Sequence, residues 1–297
     1  TDEARAYALA RLPATYAADM AVFRALAEAC PDFAPATLLD AGAGPGSASW
    51  AALEVWPKIE AALLLDESGP FLDLARILGE AGPPVLAGAE RRRVSLTAAG
   101  GEAWPRADLV VASYVLAEIA GAAQPTLVDR LWAACEGVLV LLEPGTPAGY
   151  QRILAARTRL IAAGARLAGP CPHAEACPLS SPDWCHFVQR LPRSRDHRQA
   201  KGAEAPFEDE KFIWLAAARD GVAVSLPSAP VLPPPPPGPP PAPPGNPGRQ
   251  PEALPETGGV GPPFHPPPRQ ARLRRRPPSR LGRYPLSALT RRAGGLT

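Results

Sequence analysis

Three groups of residues in this 297-residue chain have types and spacings that can do chemistry. The first is Asp40-x-Gly42-x-Gly44-x-Gly46, with Asp66 following 20 residues after the last glycine. Glycine permits backbone angles and a close ligand approach that a Cβ blocks. Free N–H groups at the start of a helix can meet a polar or anionic ligand. A carboxylate at Asp66 is placed to accept hydrogen bonds from the two hydroxyls of a ribose. The group points to a nucleotide-type ligand, the plain alternative being a tight turn. The second group is Cys171-Pro172-His173, Cys177-Pro178 and Asp183-Trp184-Cys185-His186-Phe187, with three of the five cysteines and two of the four histidines in 16 residues. Its spacing, C-x5-C-x7-C, is neither that of a paired-cysteine zinc ribbon nor that of a bacterial ferredoxin run. Thiolates in a proline-bent loop can still converge on one soft metal centre, zinc or an iron–sulfur cluster. His173 or His186 could complete a zinc site, whereas a cubane cluster needs a fourth thiolate and no cysteine follows Cys185. The third group is Arg190, Arg193, Arg195, Arg198 and Lys201, five cations in 12 residues beside Trp184 and Phe187. Such a run suits a phosphate backbone with some base stacking, against the plainer reading of a solvated basic loop.

Elements must position these groups. Apolar residues at three-to-four spacing predict a helix from Glu3 to Cys30, closed by Pro31. The run 36–40 ends in Asp40 and leads into the glycine loop, and a helix follows from Ser47 to about Val55. A second run, 61–65, ends in Asp66, and helical periodicity returns from Phe71 to Leu78. Further strands are expected near Val94, at Leu109–Ser113 and at Gly137–Leu142, the last preceded by a helix from Gln124 to Cys135. Repeated strand–helix alternation is the pattern of a parallel sheet covered on both faces. Cys135 is then read as a core thiol. Glu118 could face the ligand or be a solvated carboxylate.

Composition divides the chain unevenly. Of 41 prolines, 23 lie between Pro227 and Thr297, where ten arginines face two acids, Glu252 and Glu256, for a formal charge of +8. The net charge of +2 therefore sums two unlike segments, which excludes a uniformly basic nucleic-acid binder. The expected organisation is an N-terminal helical segment (1–30), a Rossmann-like ligand domain (31–165), a Cys/His and basic segment returning to the sheet (166–226), and a disordered Pro/Arg-rich tail (227–297). No apolar run approaches the ~20 residues that span a bilayer, and no secretory signal is visible. A reducing compartment is the default expectation, with cysteines read as ligands or core residues before disulfides.

The acid two residues before G-x-G-x-G resembles motif I of the Rossmann-like S-adenosylmethionine methyltransferases, rather than the G-x-G-x-x-G of nicotinamide enzymes. That resemblance implies Gly42, Gly44 and Gly46 near the amino-acid end of the ligand, Asp66 on the ribose and Asp40 under the methionine moiety. The Asn/Asp-Pro-Pro-aromatic tetrad of amino-methylating enzymes is missing after the fourth strand, where Ala112-Ser113-Tyr114-Val115-Leu116 stands. No catalytic residue is assigned.

Further blocks narrow the resemblance. Arg11-Leu12-Pro13-Ala14-Thr15-Tyr16, Leu39 to Gly46, the cysteine block and Glu208-Asp209-Glu210-Lys211-Phe212 together resemble the methyltransferase-like family associated with the small ribosomal subunit in bacteria and mitochondria. The match runs over residues 10 to 220. It implies an α/β, Rossmann-like S-adenosylmethionine methyltransferase fold with a Cys-rich insertion, and association with small-subunit rRNA and assembly intermediates. It also implies a 4Fe–4S cluster held by four cysteines, of which Cys171, Cys177 and Cys185 match the first three; zinc is the alternative. An active rRNA methyltransferase and a metal-dependent RNA-binding module without cofactor are the other readings. The expected protein is a monomer, bound neither to membrane nor to DNA, cytoplasmic in bacteria or in the mitochondrial matrix of a eukaryote. After Ala218 the family pattern stops. The Pro, Gly, Ala and Arg of the tail are residues of GC-only codons, as GC-rich DNA read out of frame would give; the alternative is a genuine extended Pro/Arg tail.

Overall fold

Strand β1 (Thr37–Ala41) is buried from Leu38 onward and lies in the interior of the sheet, which explains its apolar character up to Asp40. The computed structural model describes residues 2–98, 103–179 and 181–225; the Pro/Arg tail lies outside these. From β1 the glycine loop enters helix α3 (Ser47–Val55), then β2 (Ala61–Asp66), α4 (Gly69–Gly79), a one-turn α5 (Pro84–Ala87) and β3 (Glu90–Arg93). Strand β4 (Ala107–Ser113), α6 (Gln124–Ala134), β5 (Cys135–Pro144) and α7 (Pro147–Ala162) complete the wound part. After β6 (Arg166–Gly169) the cysteine block intervenes, followed by β7 (Phe187–Pro192), α8 (Arg195–Lys201) and the long β8 (Phe207–Ala218).

The strand order is β3-β2-β1-β4-β5-β8-β6, with β7 also paired to β8. Strands β1 to β5 are parallel, and β8 runs antiparallel to β5, β6 and β7. This is the doubly wound, Rossmann-like methyltransferase arrangement, with its antiparallel strand inserted between the fifth and sixth. The direction of winding reverses between β1 and β4, and in open α/β sheets ligands bind beyond the strand ends at that switch point.

Two apolar layers hold the sheet. Helices α2 (Leu12–Ala29) and α3 cover one face with Phe23, Leu26 and Trp56; α6 and α7 cover the other with Leu131, Ile153 and Leu160. Each fully buried Leu or Phe is worth about 1.5–3 kcal/mol. The single N-terminal helix expected from periodicity is broken at Arg11 into α1 (Asp2–Ala10) and α2, Pro13 sitting in the first turn of the latter. Cys135 opens β5 rather than closing a helix; burial pushes its thiol up to about 12, as fits a core residue. Among the described residues no helix is long and apolar enough to cross a membrane.

On the outer edge, Phe212 faces Pro144 on one side and Phe187 on the other, so β6 and β7 lie along the same side of β8. The cysteine block is therefore an excursion between two strands that share one edge. Its start is fixed by Gly169, where a Cβ would stand 2.4 Å from the Trp214 ring.

Candidate functional site

At the switch point the loop after β1 turns through three left-handed glycines, Gly42, Gly44 and Gly46, at φ +75°, +53° and +91°. Gly42 has a second reason to lack a side chain, since a Cβ there would lie 2.4 Å from Val115 Cγ2. At Gly44 the space is open.

The loop spends its backbone donors internally. Gly42 and Ala43 N–H both donate to Leu65 O (2.7 and 3.0 Å), Gly46 N–H to Ala43 O (2.8 Å) and Gly44 N–H to Asp66 Oδ2 (2.7 Å); Pro45 has no N–H. Gly42, Ala43, Gly44 and Gly46 thus keep no free N–H group. At the start of α3, where free N–H groups are expected, one is taken: Asp40 Oδ2 accepts from Ser49 N–H (3.1 Å) and from Ser49 Oγ (2.6 Å). A pyrophosphate needs open donors, and this loop offers it carboxylates instead.

Those carboxylates converge from several elements. Asp66, at the end of β2, holds the loop through Gly44 and accepts from Ser68 N–H (2.7 Å). Each carboxylate oxygen has about two acceptor sites, so one on each remains for the hydroxyls of a ribose. Asp40 is 1% exposed, its Oδ1 lacks a hydrogen-bond partner, and burial raises it to about 6. Glu118, in the turn after β4, is raised by partial burial and by the charge of Asp66, which places it on the rim.

A further acid comes from helix α2 and was not singled out from the sequence. Asp19 is 1% exposed; Ser113 Oγ donates to its Oδ1 at 2.6 Å, and Oδ2 lacks a partner. Burial lifts it to about 7; the Ser113 and Ser47 hydroxyls oppose that, while the charges of Asp40 and Glu210 reinforce it. The signal in the sequence is one acid inside an otherwise apolar helical stretch.

The position after β4 is also committed. Tyr114 is held at φ +61°, a backbone region that non-glycine residues occupy at a cost. Its hydroxyl donates to Glu210 Oε1 (2.8 Å), and Arg11 pairs with the same carboxylate (3.2 Å). Burial, then the Glu210 charge, push the Tyr114 phenol far up, so it stays protonated. Arg11, Tyr114 and Glu210 thereby join the α1–α2 junction to β4 and β8.

The cysteine block packs on α7. Tyr150 Oη donates to Cys177 Sγ (3.2 Å), Arg157 donates to the carbonyls of His173 (2.6 Å) and Glu175 (2.7 Å), and Trp184 Nε1 donates to Gly145 O (3.2 Å). Cys171 is exposed, and Cys177 and Cys185 are half-buried. The three thiols are close enough to act on one another: Cys185 is pushed up to about 11 by burial, with Cys171 and Cys177 adding to it. Their chemistry suits a soft metal, yet among the described residues no group of three His, Cys, Asp or Glu side chains stands ready to hold one.

The basic segment is less free than its sequence implied. Arg190 forms a two-point pair with Asp209 (2.6 and 2.7 Å) and lies over the Phe207 ring at 4.2 Å. Arg193 (3.1 Å) and Lys201 both pair with Glu208. Arg195, at the start of α8, is exposed, and Arg198 is half-buried. The register of β7 on β8, with Arg190 opposite Asp209, places the basic run against the acids of 208–210.

Comparison with known proteins adds to this geometry. Residues 1–236 match the family model described as mitochondrial small ribosomal subunit Rsm22. The human mitochondrial ribosome assembly protein METTL17 is 31% identical over 233 residues, an alignment covering 72% of this chain and 48% of the relative. The chain therefore spans about half the length of that relative. Solved structures of similar shape include the S-adenosylmethionine-bound magnesium protoporphyrin IX methyltransferase of Synechocystis (TM-score 0.44, 17% identity, covering 69% of this chain and 80% of that one). A second is a putative RNA methyltransferase of Pyrococcus horikoshii (TM-score 0.43, 13% identity, covering 67% and 81%).

Proposed function

The chain belongs to the Rsm22 family of mitochondrial small-ribosomal-subunit proteins, and from that premise we propose that it is an S-adenosylmethionine-binding, methyltransferase-like factor acting on the small ribosomal subunit during assembly. One observation carries the cofactor reading. The glycine loop has spent its N–H donors and is ringed by Asp19, Asp40, Asp66 and Glu118, an environment that repels phosphate and suits a ribose bearing a sulfonium and an ammonium. In this reading Asp66 receives the ribose hydroxyls, Gly42, Gly44 and Gly46 line the amino-acid end, and Asp40 lies under the methionine moiety.

The assembly role follows from the family and from the human relative, whose name states it. Contact with rRNA is assigned to Arg190, Arg193, Arg195, Arg198 and Lys201, with three of them first having to exchange a carboxylate for a phosphate. Cys171, Cys177 and Cys185 supply three thiolates to an iron–sulfur cluster, or to zinc, that shapes this edge for RNA. The protein works as a monomer in the mitochondrial matrix, or in the cytoplasm of a bacterium. Methyl transfer is not required, and the side chains after β4 do not favour it: Ser113 is bound to Asp19 and Tyr114 to Glu210.

Calorimetric titration with S-adenosylmethionine and with NADH tests the cofactor reading; binding of the first and not the second is expected, and the reverse overturns it. Incubation of small-subunit rRNA with methyl-labelled cofactor tests turnover. No incorporation is expected, and label in the RNA would establish an enzyme instead. Anaerobic purification with an absorption spectrum and metal analysis separates an iron–sulfur cluster from zinc.

A further inference from the structure

We infer that Asp19, on helix α2, is a ligand-binding residue that holds the α-ammonium of the cofactor between its own carboxylate and that of Asp40. The inference rests on the S-adenosylmethionine reading above and adds to it a binding group from outside the glycine loop.

A carboxylate buried in an apolar helix is costly unless it is paired. From Leu12 to Met20 every residue of α2 is buried, and Asp19 is the one acid among them. Among the described residues, the charges that chiefly act on Asp19 and Asp40 are those of other acids, and the nearby Arg11 is engaged by Glu210. Two needs remain, Asp19 Oδ2 and Asp40 Oδ1, both buried and both lacking a hydrogen-bond partner. The groups around Asp19 are Ser113 and Tyr114 at the end of β4, Ser47 of α3, Asp40 of β1, Glu210 of β8 and Tyr7 of α1. All are neutral or negative at neutral pH, so with both carboxylates charged the pair calls for a cationic donor. An ammonium has three N–H donors and one positive charge, enough for both oxygens. Adenosine alone supplies neither.

Without ligand, Asp19 keeps a proton up to about pH 7. Binding an ammonium drives that proton to solvent, so that both carboxylates are charged in the complex.

The test compares wild type and Asp19→Asn by calorimetry with three probes: S-adenosylmethionine, S-adenosylhomocysteine, and 5′-deoxy-5′-methylthioadenosine, which lacks the amino-acid end. Asp19→Asn is expected to lose roughly 30-fold or more in affinity for the first two, as when one partner of a buried charge pair is removed, and to bind the third like wild type. S-adenosylmethionine affinity unchanged in Asp19→Asn overturns the inference and leaves the cofactor reading standing. Equal losses for all three probes make Asp19 a structural residue and also overturn it. Wild type that binds none of the three removes the cofactor reading and the inference together. If Asp19→Asn does not fold, wild type titrated near pH ~6 in buffers of different ionisation enthalpy still decides: release of about one to one and a half protons, most from Asp19 and the rest from Asp40, supports the inference, and half a proton or less overturns it.

Discussion

The glycine-loop end of the sheet and the cysteine edge are both places where chemistry-bearing side chains meet, but they are built in different ways. The first is fixed by parallel strand register: Asp40 lies opposite Leu64 and Val111, Asp66 reaches back to Gly44, and α2 closes over them. The second is held to α7 and the turn before it by a few side-chain tethers, chiefly Tyr150, Arg157 and Trp184. A site made by sheet register cannot be altered without disturbing the fold, whereas a tethered loop can lose its ligands while the fold persists. Substitutions in the two regions should therefore differ sharply in stability cost.

The largest effect is expected at Gly42. Alanine there must adopt φ +75° and displace Val115, for a loss of about 2–4 kcal/mol from left-handed strain and overpacking together. Urea unfolding measures it, and cofactor-induced thermal stabilisation should vanish in the same variant. Cys171→Ser, by contrast, should change stability by less than ~0.5 kcal/mol, since the residue is exposed, while bound metal falls. Equal costs at the two positions would dissolve the contrast between register-built and tethered sites.

Gly169→Ala sharpens the comparison at the joint between the two regions. The added methyl meets the Trp214 ring, and overpacking costs about 1–3 kcal/mol. Because Trp214 lies opposite Leu142 on β5, the strain should reach the core as well as the cysteine block. Loss of metal with no change in the urea midpoint would show that the edge is independent of the sheet.

Part of this was legible in the sequence. Strand–helix alternation, the glycine loop and Asp66 are local patterns, and local patterns survive without knowledge of what packs where. Asp19 was not legible as a site residue because its partner Ser113 is 94 residues away and helical periodicity records only that a polar residue interrupts an apolar face. Arg11 and Glu210, 199 residues apart, were hidden for the same reason. The pairing of the basic run left a weaker trace: cations at 190–195 and acids at 208–210 have complementary charge at hairpin-like separation, and their opposition on β7 and β8 was open to inference.

The acids at the glycine loop give this region a pH signature that the cysteine edge lacks. Asp19 is raised to about 7 in the folded chain, so between about pH 4 and 7 the folded state keeps a proton that the unfolded state has released. Stability of the ligand-free protein should therefore fall as pH rises through that window, by up to ~1.4 kcal/mol per pH unit. Asp19→Asn should flatten the slope, leaving the smaller contribution of Asp40. Glu208 acts with the opposite sign and elsewhere: Lys201 and Arg193 outweigh its burial and hold it below the usual range, so its contribution is lost only on acidification below about pH 4. Urea midpoints measured from about pH 5 to 7 on both proteins read the Asp19 contribution apart from that of Glu208. A wild-type midpoint that rises over that range would contradict the burial of Asp19.

The smallest stability effects, and the finest discrimination, are expected within the basic segment. Exposed pairs such as Arg190–Asp209 are worth about 0–1 kcal/mol, so alanine at Arg190 or Arg195 should leave the urea midpoint nearly unmoved. Their effects on RNA should differ. Arg190 already has a two-point partner in Asp209 and a ring beneath it, and a phosphate must compete with both. Arg195 is exposed at the start of α8 and meets a phosphate without that exchange. Arg195→Ala should therefore weaken binding to small-subunit rRNA more than Arg190→Ala, and lower the slope of log affinity against log salt by about 1. Titrations of labelled rRNA fragments at several salt concentrations read both quantities. A larger loss at Arg190 would mean that Asp209 holds that guanidinium in place for the RNA rather than competing for it.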